Sequence, residues 1–115
     1  MSGSMRRPLF FILLSLAETE RHGSGIMRDV LELTAGELRL WPVTLYGSLD
    51  ELVELGWIRP VDASRVEQAG EHDSARKRWF QITPSGRRAL TAEVARLNGV
   101  VHVAQRRLAP SADAS

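Results

Sequence analysis

Residues 41–56, Trp-Pro-Val-Thr-Leu-Tyr-Gly-Ser-Leu-Asp-Glu-Leu-Val-Glu-Leu-Gly, constrain the fold more than any other segment, because they carry the signals for both ends of one helix. Pro42 suits the first helical position, where a missing N–H costs nothing, and Gly56 suits the left-handed residue just past the end. Between them Leu45, Leu49, Leu52 and Val53 recur at i, i+4, i+7 and i+8 and form a core-facing stripe, with Thr44, Tyr46, Gly47 and Ser48 off it. The acids come late, at Asp50, Glu51 and Glu54. An ordinary core helix with a solvated outer face has the same pattern. If the helix meets a nucleic acid, however, those carboxylates repel phosphate, and contact falls to the uncharged N-terminal turn, whose free N–H groups favour anions.

The chain has 115 residues, 43% of them apolar, enough for one compact domain and too few for two. It has no cysteine, which excludes a disulfide framework and any thiolate zinc site and is compatible with a reducing cytoplasm. Net charge is only +1, but it is unevenly spread. Residues 1–75 hold 7 basic and 12 acidic side chains, a net of −5, whereas residues 76–115 hold 8 and 2, a net of +6. Fourteen of the fifteen basic residues are arginine, a choice that suits phosphate contacts and equally reflects a GC-rich genome.

Met1-Ser2-Gly3-Ser4 ahead of Met5 resembles a cloning scar, and residues 1–7 are expected to be a disordered segment. Pro8 then opens a first helix whose Leu9 to Leu14 run is apolar on nearly every side, more than a single core needs from one helix. Part of that surface is therefore assigned to a partner subunit. Arg6-Arg7, the apolar run and Ser15-Leu16-Ala17 also resemble a short secretory signal, but removing it would delete the first helix of an otherwise complete pattern. The run falls well short of the roughly 20 apolar residues that a membrane span needs.

Gly23 to Gly25 are expected to break the first helix, and Ile26, Val30 and Leu33 mark a second, ended by Gly36. With the helix at 42, it forms a helix-turn-helix pair. Trp57 to Val61 reads as a strand that Pro60 confines to an edge or a short length, and Trp79 to Ile82 is its antiparallel partner. Asp62 to Arg76, polar and aperiodic, reads as a long hairpin loop, or wing. Its tip carries Glu67, Glu71 and Asp73, so phosphate contact is assigned to Arg76, Lys77 and Arg78 at its base.

In the last segment Thr83 can cap and Pro84 start a helix in which Leu90, Val94, Leu97, Val101, Ala104 and Leu108 fall at alternating spacings of four and three. That seam is narrower than a globular core wants and predicts pairing with another helix. A helix over residues 84–109 would be roughly 39 Å long at about 1.5 Å per residue, too long for so small a domain to cover. Asn98-Gly99 in its middle allow a kink or a close approach.

Thr44-Leu45-Tyr46-Gly47-Ser48-Leu49 followed by Leu55-Gly56-Trp57-Ile58 resembles the recognition helix of PadR-like transcriptional regulators. His22-Gly23-Ser24-Gly25-Ile26 resembles that family's turn between helices one and two. Arg78-Trp79-Phe80-Gln81-Ile82-Thr83-Pro84-Ser85-Gly86 resembles its wing strand running into the last helix. The sequence departs from the pattern at Ser24, where the family often has an aromatic, at Trp41, where a small capping residue is common, and at Val43, where glycine is usual. Trp41 and Val43 lie beside the expected DNA-facing turn.

The resemblance implies a mainly α fold with a small β-hairpin wing: a winged helix-turn-helix domain over residues 8–83, a C-terminal dimerisation helix over 84–109 and a disordered tail over 110–115. It implies a homodimer joined through the first and last helices, here Phe10, Phe11, Leu14, Leu90, Val94, Leu97, Val101 and Leu108. It further implies a regulator that binds double-stranded DNA at a near-palindromic operator and responds to a small molecule or stress signal of unknown identity. The residues assigned to DNA are Arg39, Thr44, Tyr46, Gly47, Ser48, Arg76, Lys77 and Arg78. The competing reading is a winged helix that binds another protein through a patch at Trp41 and Val43. Trp41, Trp57 and Trp79 could line an aromatic pocket, but core packing explains such residues more simply. His22, His72 and His102 show no metal-ligand spacing, and Gly23-Ser24-Gly25 follows a helix where a phosphate loop would follow a strand, so no catalysis, metal or cofactor is expected.

Overall fold

A computed structural model of the chain describes residues 5–61 and 78–110. Its elements in order are helix α1 (Arg7–Glu18), strand β1 (Arg21–His22), helices α2 (Gly23–Leu33) and α3 (Pro42–Glu54), strands β2 (Ile58–Val61) and β3 (Trp79–Ile82), and helix α4 (Pro84–Leu108). The protein is mostly helical with one small antiparallel sheet in the order β1-β3-β2. The β2–β3 pairing sets Ile58 opposite Ile82 and Val61 opposite Trp79, the two strands expected of the wing. Pro60 sits on β2, an edge strand, where its missing donor interrupts no inner ladder. The loop assigned to residues 62–76 lies outside the described residues, as do Lys77, residues 1–4 and residues 111–115.

Strand β1 is an addition to the sequence reading. Its two residues pair with β3, Arg21 opposite Phe80 and His22 opposite Trp79. The glycines after it are not a break between helices: Gly23 is already the first residue of α2, and His22 Nδ1 caps that helix by accepting from the Gly25 N–H at 3.2 Å. At the far end of α2 the Ala35 N–H bonds the Glu32 carbonyl and the Gly36 N–H bonds the Leu31 carbonyl, a Schellman closure. Ala35, at φ 54°, takes the left-handed position beside Gly36 at φ 86°.

Helix α3 ends in the same way, with Gly56 at φ 78° and the Trp57 N–H reaching back to the Leu52 carbonyl at 3.0 Å. The helix therefore occupies the span that Pro42 and Gly56 mark in the sequence. Leu45, Leu49 and Leu52 are buried and Val53 is half-buried. They join Leu9, Ile12, Leu13, Leu16, Ile26, Val30, Leu40, Ile58, Phe80, Ile82 and Leu90 in one core. Helix α1 runs through its middle, packed on α2, α3, α4 and β3. At the start of the described residues Arg7 opens α1 and Arg6 reaches α3.

Thr83 and Gly86 fasten the start of α4. The Thr83 hydroxyl accepts from the Gly86 N–H at 3.0 Å and donates to the Gly56 carbonyl at 2.6 Å, while the Thr83 N–H bonds the Trp57 carbonyl at 2.9 Å. Gly86 lies so close to Trp57 that a Cβ there would overlap the Trp57 carbonyl. Helix α4 is unbroken across Asn98-Gly99, and among the described residues nothing beyond the adjoining turns of the helix itself comes within 4 Å of where a Gly99 Cβ would sit. Only its first turns, at Gly86, Leu90 and Glu93, are buried. The rest projects beyond the body, which stretches the molecule to 64 × 29 × 25 Å.

Candidate nucleic-acid interface

The two faces of α3 differ sharply. Leu45, Leu49 and Leu52 anchor one side in the core, which leaves Pro42, Val43, Thr44, Tyr46, Gly47 and Asp50 exposed. Val43 is 87% exposed and Trp41, just before the helix, is 63% exposed. Ser48 was assigned to the outer face from sequence, but it is only 6% exposed. It sits three residues after Leu45 and four before Leu52, so it belongs to the buried stripe, where its small side chain lets α3 approach the core. Thr44, Tyr46 and Gly47 remain as surface groups.

Tyr46 bridges the helix pair: a Cβ on Gly23 would come within 2.9 Å of its hydroxyl oxygen, so the glycine at the start of α2 makes room for the ring. Arg39 is exposed and its guanidinium stacks 5.3 Å from the centre of the Trp41 ring. The two residues, with Met27, Leu31, Leu40 and the exposed Arg28, line a groove of about 440 Å³ between α2 and the start of α3. Arg28 does not stand out in the sequence because it is the one basic residue of α2, next to Asp29 and with no motif around it. Arg78 stacks 5.1 Å from the Phe80 ring at the base of the hairpin, and Arg76 and Lys77 lie outside the described residues.

The acids of α3 are not all free. Glu51 accepts a forked pair of bonds from Arg6, at 3.0 and 2.5 Å. These hydrogen bonds hold its carboxyl below the usual glutamate range. Asp50 and Glu54 stay exposed on the later turns, leaving the first turn as the uncharged part of the surface.

Of the residues assigned to a dimer contact, Phe10, Phe11 and Leu14 are half-buried on α1. Val94, Val101 and Leu108 are exposed on α4 and Leu97 is half-buried. Leu90 differs, being 5% exposed within this chain's own core, where the base of α4 meets α1. Glu93, which the sequence reading passed over, is equally buried and takes a forked ion pair from Arg96 at 3.0 and 2.6 Å.

The tryptophans do not converge: Trp41 lines the α2 groove, Trp57 packs on the core and Trp79 meets His22 edge-to-face at 4.8 Å. Among the described residues no group of three His, Cys, Asp or Glu side chains is placed to hold a metal, and no helix is long and apolar enough to cross a membrane. His102 lies exposed on α4 and His72 lies outside the described residues.

Comparison with known proteins agrees with this arrangement. A transcriptional regulator from Clostridium thermocellum superposes with a TM-score of 0.68 at 20% identity, covering 89% of this chain and 90% of its own. RosR from H. salinarum gives 0.60 at 22% identity, with 96% of this chain and 84% of that one covered. A probable transcriptional regulator from Pseudomonas aeruginosa gives 0.60 at 21% identity, covering 91% and 68%. At such identities the likeness is one of fold. No curated protein matches the sequence. The sequence model of the PadR-like transcriptional regulator family matches residues 12–92, from α1 through the base of α4. Members of that family regulate transcription and are not enzymes. With most of its length under that match and a winged helix-turn-helix fold to go with it, the chain belongs to the PadR-like family of transcriptional regulators.

Proposed function

We propose that this protein is a homodimeric, sequence-specific DNA-binding regulator of the cytoplasm, a repressor acting on a near-palindromic operator and released by a small molecule or stress signal. The observation that carries the reading is the division of α3, whose buried stripe fixes the helix while its uncharged first turn stands clear of the body. In a two-fold dimer two such turns enter successive major grooves about 34 Å apart. Thr44 and Tyr46 contact phosphate or base edges, the helix N-terminus favours a phosphate, and Arg39, Arg78, Arg76 and Lys77 hold the backbone on either side.

Retardation of the DNA upstream of its own gene, against random duplex competitor at about physiological salt, tests this reading. Log affinity should fall by about 0.9 per log unit of salt for each phosphate neutralised. The Lys77→Ala/Arg78→Ala variant should flatten that slope, and an unchanged slope removes the hairpin from the mechanism. The exposed Trp41 and Val43 favour a second reading, an apolar patch that binds another protein without DNA. On that reading no duplex is retarded over the competitor.

A further inference from the structure

We infer that α3 reads thymine through its methyl group and that Val43 is the residue that touches it. The inference rests on the DNA-binding reading above and specifies what that surface recognises.

Chemistry narrows the choice. In the major groove guanine is read by the forked donors of Arg or Lys, adenine by the paired donor and acceptor of Asn or Gln, and cytosine by a carboxylate. Helix α3, PVTLYGSLDELVE from Pro42 to Glu54, contains no Arg, Lys, Asn or Gln. Its outward row at i, i+4, i+7 and i+11 is Val43, Gly47, Asp50 and Glu54. The acids occupy the turns that lead away from the groove floor when the helix enters by its first turn. Val43, Thr44 and Gly47 remain at the leading end, and the apolar contact such residues can make to a base edge is with the thymine C5-methyl.

Geometry agrees. Val43, at 87% exposed, gains nothing from burial in its own chain. Among the described residues nothing outside the helix itself lies within 4 Å of where a Gly47 Cβ would point, so the helix backbone is open to approach at that position. The Arg39 guanidinium on the Trp41 ring places a positive charge at the margin of the same apolar surface, where a phosphate of the same strand would lie. A purely protein-binding patch has no need of that cation or of the bare Gly47.

The test uses the retarded duplex with each thymine replaced in turn by uracil, which differs only in lacking the methyl. One position per half-site should lose affinity about fourfold, the effect of exposing one buried methyl-sized group. The Val43→Ala protein, whose substitution sits on the surface and is expected to leave the circular dichroism and salt slope unchanged, should lose most of the thymine preference, because the shorter side chain reaches less of the methyl. If the wild-type protein binds all uracil duplexes like the parent, or Val43→Ala keeps the penalty, the inference is overturned while DNA binding stands. If no duplex is retarded over random competitor, the DNA-binding reading itself falls and takes the inference with it.

Discussion

Glu93 shows how one side chain can be set by its surroundings in a way that spacing does not reveal. It is 5% exposed, yet it is charged, because Arg96 supplies a forked pair of hydrogen bonds and the Met5 backbone a further one. The Arg96 bonds outweigh the cost of burial, so the carboxyl titrates below its ordinary value of 4.5. A carboxyl depressed in the folded state contributes stability that is present above the unfolded value and lost as pH falls through the folded one. Glu93→Gln is therefore expected to melt below wild type at pH 7, with the gap closing as the pH drops under about 4. Thermal melts at the two pH values check this; a constant gap would mean that the ion pair contributes nothing and only side-chain packing was lost. In the sequence Glu93 reads as one more exposed charge between Leu90 and Val94. Ser48 misleads in the opposite sense: a hydroxyl reads as surface, and only the width of the α3 stripe puts it inside. Thr44, Tyr46 and Gly47, by contrast, are as exposed as their position off the leucine stripe suggests.

Among the elements, the helices were legible where local chemistry fixes their ends. Pro42 and Gly56 bound α3, and Thr83 with Pro84 opens α4, because caps and left-handed termini are satisfied within a few residues of chain. Strand β1 was not legible: two residues have no period, and Arg21-His22 become a strand only because β3, remote in sequence, lies alongside. The junction of α4 with the end of α3 is also a long-range fact. Gly86→Ala, which ordinary helix propensity would favour, is expected to destabilise by about 3 kcal/mol because its methyl overlaps the Trp57 carbonyl, a backbone atom that cannot swing aside. Urea unfolding measures it, and a variant as stable as wild type would show that the contact relaxes freely. The leucine, valine and alanine pattern of residues 84–109 reads as a single seam, but α4 divides its work: Leu90 serves this chain's core, Leu97 is half-buried, and Val94, Val101 and Leu108 stay exposed.

As a whole molecule the protein is too extended for its size. Its radius of gyration is 17.4 Å, against about 13 Å for a compact chain of this length. Val94, Val101 and Leu108 remain exposed on α4, the surface the proposed dimer would bury. Val94→Glu with Val101→Glu is expected to give a folded monomer in sedimentation at micromolar concentration. Its operator affinity should fall by about 100-fold, since two half-sites would no longer be held by one linked pair of domains. A double variant that still sediments as a dimer would move the subunit contact elsewhere.

Because Thr83 ties the first residues of α4 to the Gly56 and Trp57 carbonyls, and Gly86 leaves no slack against them, α4 cannot swivel without carrying α3 along. In a pair of such chains the tail would behave as a crank. In the proposed dimer an inducer need never approach the first turn of α3, since wedging the tails a few degrees apart would swing the two copies of α3 out of phase with a duplex.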